Sequence, residues 1–187
     1  MYFDDYAAML AETVKMIDRK DVEKLYAMID EARLGGHRVF MLGNGGAAAS
    51  ASHWVCDFGK GINVPGSKRL KMASPVDNSA IFSALGNDFG YETSLAYQIE
   101  NLIEPGDLVI SLSVSGSSSN LVEAHKLANR VGARTVCIVG DKSGTLIGMS
   151  DFPMVIKSTN YGVVEDIHMI LAHAISQQMK RANEQSA

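Results

Sequence analysis

The sequence predicts an α/β fold in which a five-stranded parallel sheet is covered on both faces by helices. Short apolar runs alternate with helical patterns, and glycine- or serine-rich turns follow several of those runs. The chain has 187 residues, of which 47% are hydrophobic and 20% are charged, as in ordinary globular proteins. We therefore expect a single domain over residues 1–187, with an N-terminal helical layer at about residues 1–36.

Two helices are predicted within this N-terminal layer. In the first, apolar residues recur at steps of three or four, at Phe3, Ala7, Leu10, Val14 and Ile17. Such a stripe is typical of an amphipathic helix. A second helix should begin at about Asp21 and end at the Gly35-Gly36 pair, because paired glycines stop a helix.

From residue 38 onward the pattern changes to short apolar runs separated by helical segments. The apolar runs predict strands at residues 38–42, 70–73, 108–112, 135–139 and 154–156. The remaining segments predict helices at residues 47–58, 80–85, 93–102, 121–131 and 163–179. Buried strands that alternate with helices are typical of a parallel sheet covered on both faces.

Parallel sheets of this kind bind ligands beyond the carboxyl ends of their strands, which selects the loops at residues 43–47, 74–79 and 113–120. The loop at 113–120 is rich in serine and opens a helix near Asn120. Its hydroxyls and free backbone N–H groups could hold a phosphate at the positive end of that helix. The alternative is a turn whose hydroxyls only cap the helix, and composition alone favours neither.

The loop Gly43-Asn-Gly-Gly46 also follows a strand and opens a helix, so a ligand can approach its backbone closely. It lacks the full dinucleotide pattern G-x-G-x-x-G, and the chain has no Walker pattern with a phosphate-binding lysine. The favoured ligand is therefore a small phosphorylated metabolite.

Two predicted helices carry ionisable side chains that share a face. His53 and Asp57 stand four positions apart, and Glu165 and His173 stand eight apart. Imidazoles and carboxylates from two helices could bind a divalent ion such as zinc. The alternatives are an exposed His–Asp pair and a hydrogen-bonded core histidine. Apolar neighbours predict that Glu165 and His173 are partly buried and so need partners.

Composition gives expectations about partners and location. The formal net charge of -4 offers no basic footprint for nucleic acid, so we expect no nucleic-acid partner. No apolar stretch approaches the roughly 20 residues that span a bilayer, so we expect no membrane association. Residues 1–6 do not resemble a secretory signal, and we therefore expect a cytoplasmic protein.

Taken together, the motifs resemble the sugar isomerase (SIS) domain family, and within it the phosphoheptose (sedoheptulose 7-phosphate) isomerases. The matching motifs are ordered along nearly the whole chain: Gly43-Asn-Gly-Gly46, His53-x-x-x-Asp57, Asp77-x-Ser79, Gly86-Asn-Asp-Phe-Gly90, Pro105-Gly-Asp107, Ser113-x-Ser115-Gly-x-Ser118 and Glu165-Asp-Ile-His168-x-x-x-x-His173.

The resemblance implies a three-layer SIS fold with extra N-terminal helices, and a homotetramer whose sites lie between subunits. It implies that the phosphate is held by Ser113, Ser115 and Ser118. The sugar contacts that it implies are Asn44, Gly45, Gly46, Asn87, Asp88 and Glu165. The implied ligands of a divalent metal, with zinc expected, are His53, Asp57, Glu165 and His173. The implied base and acid are Asp57 and His173, which we expect on opposite sides of the substrate.

Four positions depart from the usual family pattern. The family usually has Glu at Asp57, Gln at Glu165, Ser at Ala47 and Thr at Val114. Asp57 is one methylene shorter, Glu165 adds a negative charge, and the other two changes each remove a hydroxyl that could bind phosphate.

Two classes of function follow from these patterns. The first is an aldose–ketose isomerase acting on a sugar phosphate, with sedoheptulose 7-phosphate and D-glycero-D-manno-heptose 7-phosphate as the expected pair. The second is a non-catalytic SIS protein that binds a sugar phosphate or a partner such as a replication initiator. The acid–base residues favour the isomerase, because a binding protein need not retain them.

Overall fold

The computed structural model describes residues 1–186 and has seven α-helices and five β-strands within them. The helices are α1 (Tyr2–Lys15), α2 (Arg19–Gly35), α3 (Gly46–Cys56), α4 (Ser79–Asp88), α5 (Ala96–Glu100), α6 (Ser119–Val131) and α7 (Tyr161–Ser186). The strands are β1 (Arg38–Leu42), β2 (Lys71–Ala73), β3 (Leu108–Ser113), β4 (Arg134–Gly140) and β5 (Phe152–Ile156).

All five strands pair in parallel, in the order β2-β1-β3-β4-β5. The order reverses between β1 and β3, where Val39 lies opposite Leu108 and Leu42 opposite Ser111. A crevice opens at such a reversal, outside the carboxyl ends of the two strands. The fold therefore places the loops that follow β1 and β3 side by side.

Helices cover both faces of the sheet, as the sequence predicted. One core joins α2, α3 and α7 to the sheet, and Leu25, Trp54 and Ile167 are fully buried there. The other core joins α5 and α6 to the opposite face, around Ile99 and Leu121. The apolar stripe of α1 packs against the first core from outside.

Local signals set the ends of α2. The Asp18 carboxylate accepts a hydrogen bond from the Lys20 N–H at 2.9 Å and caps the first turn. Gly36 adopts a left-handed conformation with φ of 78° and ends the helix, as its glycine pair predicted. The chain then enters β1 at Arg38.

One predicted helix differs in the structure. The helix predicted over residues 93–102 is a single turn of 3₁₀ helix at Tyr91–Thr93 followed by the short α5. The strand predicted over 70–73 is confirmed as the edge strand β2, and its residues are largely exposed. Among residues 1–186, each helix is either too short or too polar to span a bilayer.

Two histidines are buried on opposite faces of the sheet. His125 of α6 lies 2.8 Å from the Ser111 hydroxyl, and His168 of α7 lies 3.1 Å from the Ile138 carbonyl. Burial disfavours the charged imidazolium and lowers the pKa of each side chain to about 4. Both side chains are therefore neutral in the folded protein at neutral pH.

We expect the free energy of unfolding to fall as the pH drops from about 6.5 toward 4. The unfolded chain binds protons on both histidines in this window, whereas the folded chain does not. Each depressed pKa lowers the free energy of unfolding by roughly 3 kcal/mol at the acid end of this range. Urea titrations at several pH values measure the free energy of unfolding, which should depend less steeply on pH in His125→Gln. If the pH dependence in this variant equals that of the wild type, His125 does not contribute to it.

Candidate active site

The glycine loop after β1 comes close to two other segments at the crevice. A Cβ atom on Gly43 would overlap the backbone of Ala47, and one on Gly46 would overlap the Glu165 carboxylate. Gly45 has φ of 57° and precedes the first turn of α3. Glycine is required here by close approach and by backbone conformation together.

The serine loop after β3 offers three hydroxyls that can donate to an anion. The Ser113 hydroxyl accepts from the Gly116 N–H at 3.0 Å, and the Ser115 hydroxyl accepts from the Ser117 N–H at 3.3 Å. A hydroxyl that accepts one N–H still has its own O–H to donate. Ser118 is the N-cap residue of α6, yet among residues 1–186 its side chain makes no capping hydrogen bond.

This geometry favours the phosphate cradle over the helix-capping turn. If the hydroxyls served the helix, Ser118 would accept from the first turn of α6, and it does not. Backbone N–H groups at the start of a helix also lack backbone partners within the helix, and such groups bind anions in many proteins. The loop is held from behind, where the Leu146 N–H donates to the Gly116 carbonyl at 2.9 Å.

Three ionisable side chains from α3 and α7 converge at the protein surface. The Nε2 atoms of His53 and His173 are 3.2 Å apart. Asp57 Oδ1 is 3.6 Å from His53 Nε2, and Asp57 Oδ2 is 3.7 Å from His173 Nε2. The helices bring together residues that are 120 positions apart in sequence.

The two imidazoles are spaced as ligands of a tetrahedral metal ion would be. Ligand atoms about 2.1 Å from a tetrahedral zinc ion lie about 3.4 Å from one another. The two Nε2 atoms are 3.2 Å apart, close to that value, and each lies within 3.7 Å of a different Asp57 oxygen. Two imidazole nitrogens and one carboxylate oxygen are also a donor set that zinc accepts. His53, Asp57 and His173 could therefore hold a divalent ion through three of its positions.

The backbone places Asp57 at an irregular turn. The α-helical hydrogen bonding of α3 ends at Cys56, and residues Asp57–Gly61 form one turn of π-helix. A π turn widens the helix and redirects side chains, and such turns are frequent at functional sites. The sequence predicted an uninterrupted helix to residue 58, so this feature was missed.

His173 is more exposed than its apolar neighbours predicted. Its side chain is 50% exposed, that of His53 48% and that of Asp57 24%. The apolar residues of α7 face the core, and His173 lies on the outer side of the helix. The cluster is thus open to solvent in the single chain.

The structure does not bring Glu165 into this cluster. Glu165 and His173 are eight positions apart on α7, which is about two turns or about 12 Å along the helix. The Glu165 carboxylate instead lies against Gly46 at the start of α3. A carboxylate is stabilised there by the positive end of the helix. This position suits the predicted substrate contact rather than the predicted metal contact.

Asp57 and His173 lie side by side rather than on opposite sides of a cleft. The separate helices were expected to place the two groups across a substrate from each other. Since α3 and α7 pack directly together, the carboxylate and the imidazole are 3.7 Å apart in one chain. Any substrate of this pair must meet both groups from the same side.

Asn87 and Asp88 lie in the exposed last turn of α4. Their side chains are hydrogen-bonded to each other at 2.7 Å. Within residues 1–186 no hydrogen bond joins them to the glycine loop or to the serine loop. These two predicted sugar contacts are thus hydrogen-bonded to each other rather than to either loop.

Two residues at the crevice escaped the sequence analysis. Asn120 is fully buried and exchanges hydrogen bonds with the Asn44 amide, and the Tyr91 hydroxyl donates to Asn44 Oδ1 at 2.6 Å. Asn120 directly follows the serine loop, so its position was a usable signal. No sequence pattern indicated Tyr91.

A third missed residue, Tyr6, joins α1 to α7 near Glu165. Its hydroxyl donates to Asp166 Oδ2 at 2.7 Å. Burial and this hydrogen bond raise the pKa of Tyr6 to about 12. The hydroxyl therefore stays protonated and fixes α1 against the helix that carries His173.

Comparison with known proteins identifies relatives along most of the chain. A family model described as SIS domain matches residues 1–140. A phosphoheptose isomerase of Akkermansia muciniphila is 32% identical over 161 residues, which are 86% of this chain and 85% of that protein. A phosphoheptose isomerase of Mycobacterium tuberculosis is 33% identical over 168 residues, 88% of this chain and 85% of that protein.

A solved structure has the same fold. The structure of a phosphoheptose isomerase from Francisella tularensis superposes with a TM-score of 0.85, over 96% of this chain and 95% of that one. The two sequences are 20% identical in this comparison. The match confirms the predicted sheet and its flanking helices.

Proposed function

The chain belongs to the SIS domain family, and we propose that it is a phosphoheptose isomerase that interconverts sedoheptulose 7-phosphate and D-glycero-D-manno-heptose 7-phosphate. The observation that carries the proposal is the convergence of His53, Asp57 and His173 on two packed helices of a chain that matches these isomerases over most of its length. The serine loop at the crevice supplies the second requirement, an anchor for the phosphate.

The substrate is anchored by its phosphate at Ser113, Ser115 and Ser118. Each hydroxyl can donate to a phosphate oxygen, and hydrogen bonds to a charged group are stronger than those between neutral groups. The glycine loop leaves room for the sugar against the start of α3, where Glu165 can accept hydrogen bonds from sugar hydroxyls. These contacts hold the reacting carbons without a lysine or arginine in the loop.

Asp57 is the base and His173 is the acid in this proposal. Asp57 removes the proton from C1 of the ketose and returns it to C2, through an enediol. His173 Nε2 donates a proton to the oxygen on C2 as the enediol forms. It takes up the proton of the hydroxyl on C1 as Asp57 returns its own proton to C2, so both side chains end in their starting protonation states. Because the two groups are 3.7 Å apart, one can reach a carbon while the other reaches the attached oxygen.

We further propose that His53, Asp57 and His173 hold a divalent ion, with zinc the best match to two imidazoles and one carboxylate. When bound, such an ion stabilises negative charge that develops on the substrate oxygens. Asp57 has two carboxylate oxygens, so one can bind the ion while the other accepts the proton. The Nε2 atom of His173 serves as ligand or as proton carrier in a given step, but not as both.

Bound zinc should raise the melting temperature of the protein. A ligand at 100 times its dissociation constant stabilises the folded state by about 2.7 kcal/mol. Thermal scans with and without zinc measure the shift, which His53→Gln should abolish. Glu165→Gln is the matched comparison, because Glu165 lies two turns from the cluster. Loss of the shift in Glu165→Gln but not in His53→Gln would contradict this ligand set.

We also propose a homotetramer, because large apolar side chains are exposed on two separate surfaces. One surface is on α1, and the other comprises α4, the residue that follows it, and α5. The exposed residues include Tyr2, Phe3, Met9, Ile81, Phe89 and Tyr97. Apolar patches of this kind usually mark association surfaces. Light scattering at micromolar concentration should give four times the monomer mass, and a monomer would contradict this.

The competing function is a non-catalytic SIS protein that binds a sugar phosphate or a protein partner. Such a protein needs the serine cradle but not the cluster of His53, Asp57 and His173. The test is turnover of a panel of ketose phosphates by the purified protein, with aldose products identified by NMR. Formation of heptose 7-phosphate supports the isomerase, whereas binding of every sugar phosphate without any aldose product supports the competing function.

A further inference from the structure

Two asparagines meet across the reversal point of the sheet. Asn44 follows β1, and Asn120 lies in the first turn of α6, after β3. Asn44 Nδ2 donates to Asn120 Oδ1 at 2.9 Å, and Asn120 Nδ2 donates to Asn44 Oδ1 at 2.9 Å. The two amides thus form a closed pair with two parallel hydrogen bonds.

A backbone group fixes which way both amides point. The Leu121 N–H, which can only donate, is 3.0 Å from Asn120 Oδ1. This atom must therefore be the carbonyl oxygen, since an amide nitrogen would present hydrogen against hydrogen. Because Asn120 is fixed, the atom of Asn44 that faces its oxygen must be Nδ2.

The remaining N–H group of Asn120 also has a hydrogen-bond partner. Its second N–H points to the Ser94 hydroxyl at 3.4 Å, and that hydroxyl donates to the Tyr91 carbonyl at 2.7 Å. Asn120 and Ser94 are both fully buried. Every polar group in this part of the network therefore has a partner, as buried groups require.

Asn44 is left with one unused group. Its oxygen accepts from Asn120 Nδ2 and from the Tyr91 hydroxyl, so both lone pairs are occupied. Its nitrogen donates one N–H to Asn120 and keeps the other. Asn44 is half-buried and lines a cavity of about 320 Å³ together with Gly45, Ser79 and Tyr91.

We propose that Asn120 and Tyr91 are positioning residues that hold Asn44 so that it presents only an N–H donor to the ligand. This inference rests on the proposed function, because it assigns the ligand as the sugar phosphate. An amide held in this way selects an oxygen with a free lone pair and disfavours a hydroxyl that must donate. It also favours an oxygen that gains negative charge, as the sugar oxygens do on the way to an enediol.

Tyr91→Phe tests the proposal with little risk to folding, because the Tyr91 side chain lies at the surface. Loss of one neutral hydrogen bond should lower kcat/KM about three- to tenfold. Tyr97→Phe is the matched control, since Tyr91 and Tyr97 are each 48% exposed. Tyr97 stacks on Phe89 outside this network, so its variant should keep the wild-type kcat/KM.

A double-mutant cycle separates positioning from a general structural effect. If Tyr91 acts through Asn44, Tyr91→Phe should have no further effect on kcat/KM in the Asn44→Ala background. Additive losses in that background would overturn the proposal. Asn44→Asp should have a lower kcat/KM than Asn44→Ala, because a carboxylate presents acceptors in place of the donor. A higher kcat/KM for Asn44→Asp would also overturn the proposal.

A spectroscopic measurement keeps this test independent of turnover. The side-chain amide signal of Asn44, identified by its loss in Asn44→Ala, should shift in Tyr91→Phe and stay in place in Tyr97→Phe. An unchanged signal in Tyr91→Phe would overturn the positioning role, whichever sugar is the substrate. A wild-type protein that has this amide signature but does not convert heptose phosphates would instead contradict the proposed function alone.

Discussion

Asp57→Asn and His173→Gln should each lower turnover about 10²–10⁴-fold, which is the usual contribution of a positioned acid or base. Asparagine keeps the size of the aspartate but cannot accept a proton at neutral pH. Glutamine keeps a polar side chain at position 173 but cannot act as a general acid. Steady-state rates with sedoheptulose 7-phosphate measure both losses.

His37→Gln is the matched control for His173→Gln. The His37 side chain is 41% exposed, close to the 50% of His173, but it directly precedes β1, at the amino ends of the strands. It should therefore keep wild-type turnover. Because Asp57 and His173 also belong to the proposed metal cluster, bound metal is measured in each variant. Full turnover in both site variants would contradict the acid–base assignment.

Removing the phosphate from the ligand should weaken binding about 10²–10⁴-fold, since two hydrogen bonds to a charged group contribute about 1.5–3 kcal/mol each. Calorimetry with sedoheptulose 7-phosphate and with sedoheptulose measures the difference. Ser115→Ala and Ser118→Ala should each reduce this difference in affinity, because each substitution weakens the binding of the phosphorylated sugar only.

Ser117→Ala is the matched control within the same loop. Its hydroxyl accepts from the Thr145 N–H at 3.3 Å and is thus directed to the neighbouring loop. Its substitution should change the affinity for the phosphorylated sugar much less than that of Ser115 or Ser118. Equal affinity of the wild-type protein for both sugars would show that the serine loop is not a phosphate site.

Most strands and helices were predictable because periodicity reports which side chains face a core. The runs at 38–42, 108–112 and 135–139 became β1, β3 and β4 within one or two residues. The main failure is at residues 93–102, whose helical pattern predicted one helix. In the structure α5 is only about one turn long, and a 3₁₀ turn precedes it.

The sequence identified the loops of the candidate site but not how they lie relative to one another. Spacing placed His53 near Asp57, since both lie on one helix, and the structure has Nε2 and Oδ1 3.6 Å apart. Spacing could not tell that α3 and α7 pack directly together, which sets His173 beside Asp57. Spacing also could not tell that the Glu165 carboxylate lies against Gly46, in the space that a Cβ atom would fill.

Long-range hydrogen bonds were beyond the sequence analysis for the same reason. Asn44 and Asn120 are separated by 76 positions, and Tyr91 by 47 from Asn44. Their meeting depends on the strand order, which places the loops after β1 and β3 next to each other. A single sequence indicates the residue types at each loop but not which atoms face each other.

The central claim is that Asp57 moves a proton between C1 and C2 of a ketose phosphate. It is tested most directly by turnover of sedoheptulose 7-phosphate in D₂O, followed by NMR. Because the cluster is open to solvent, the proton on the base should exchange during turnover. The account predicts an aldose heptose 7-phosphate that carries deuterium at C2. An aldose product without deuterium at C2, or no aldose product at all, would contradict it.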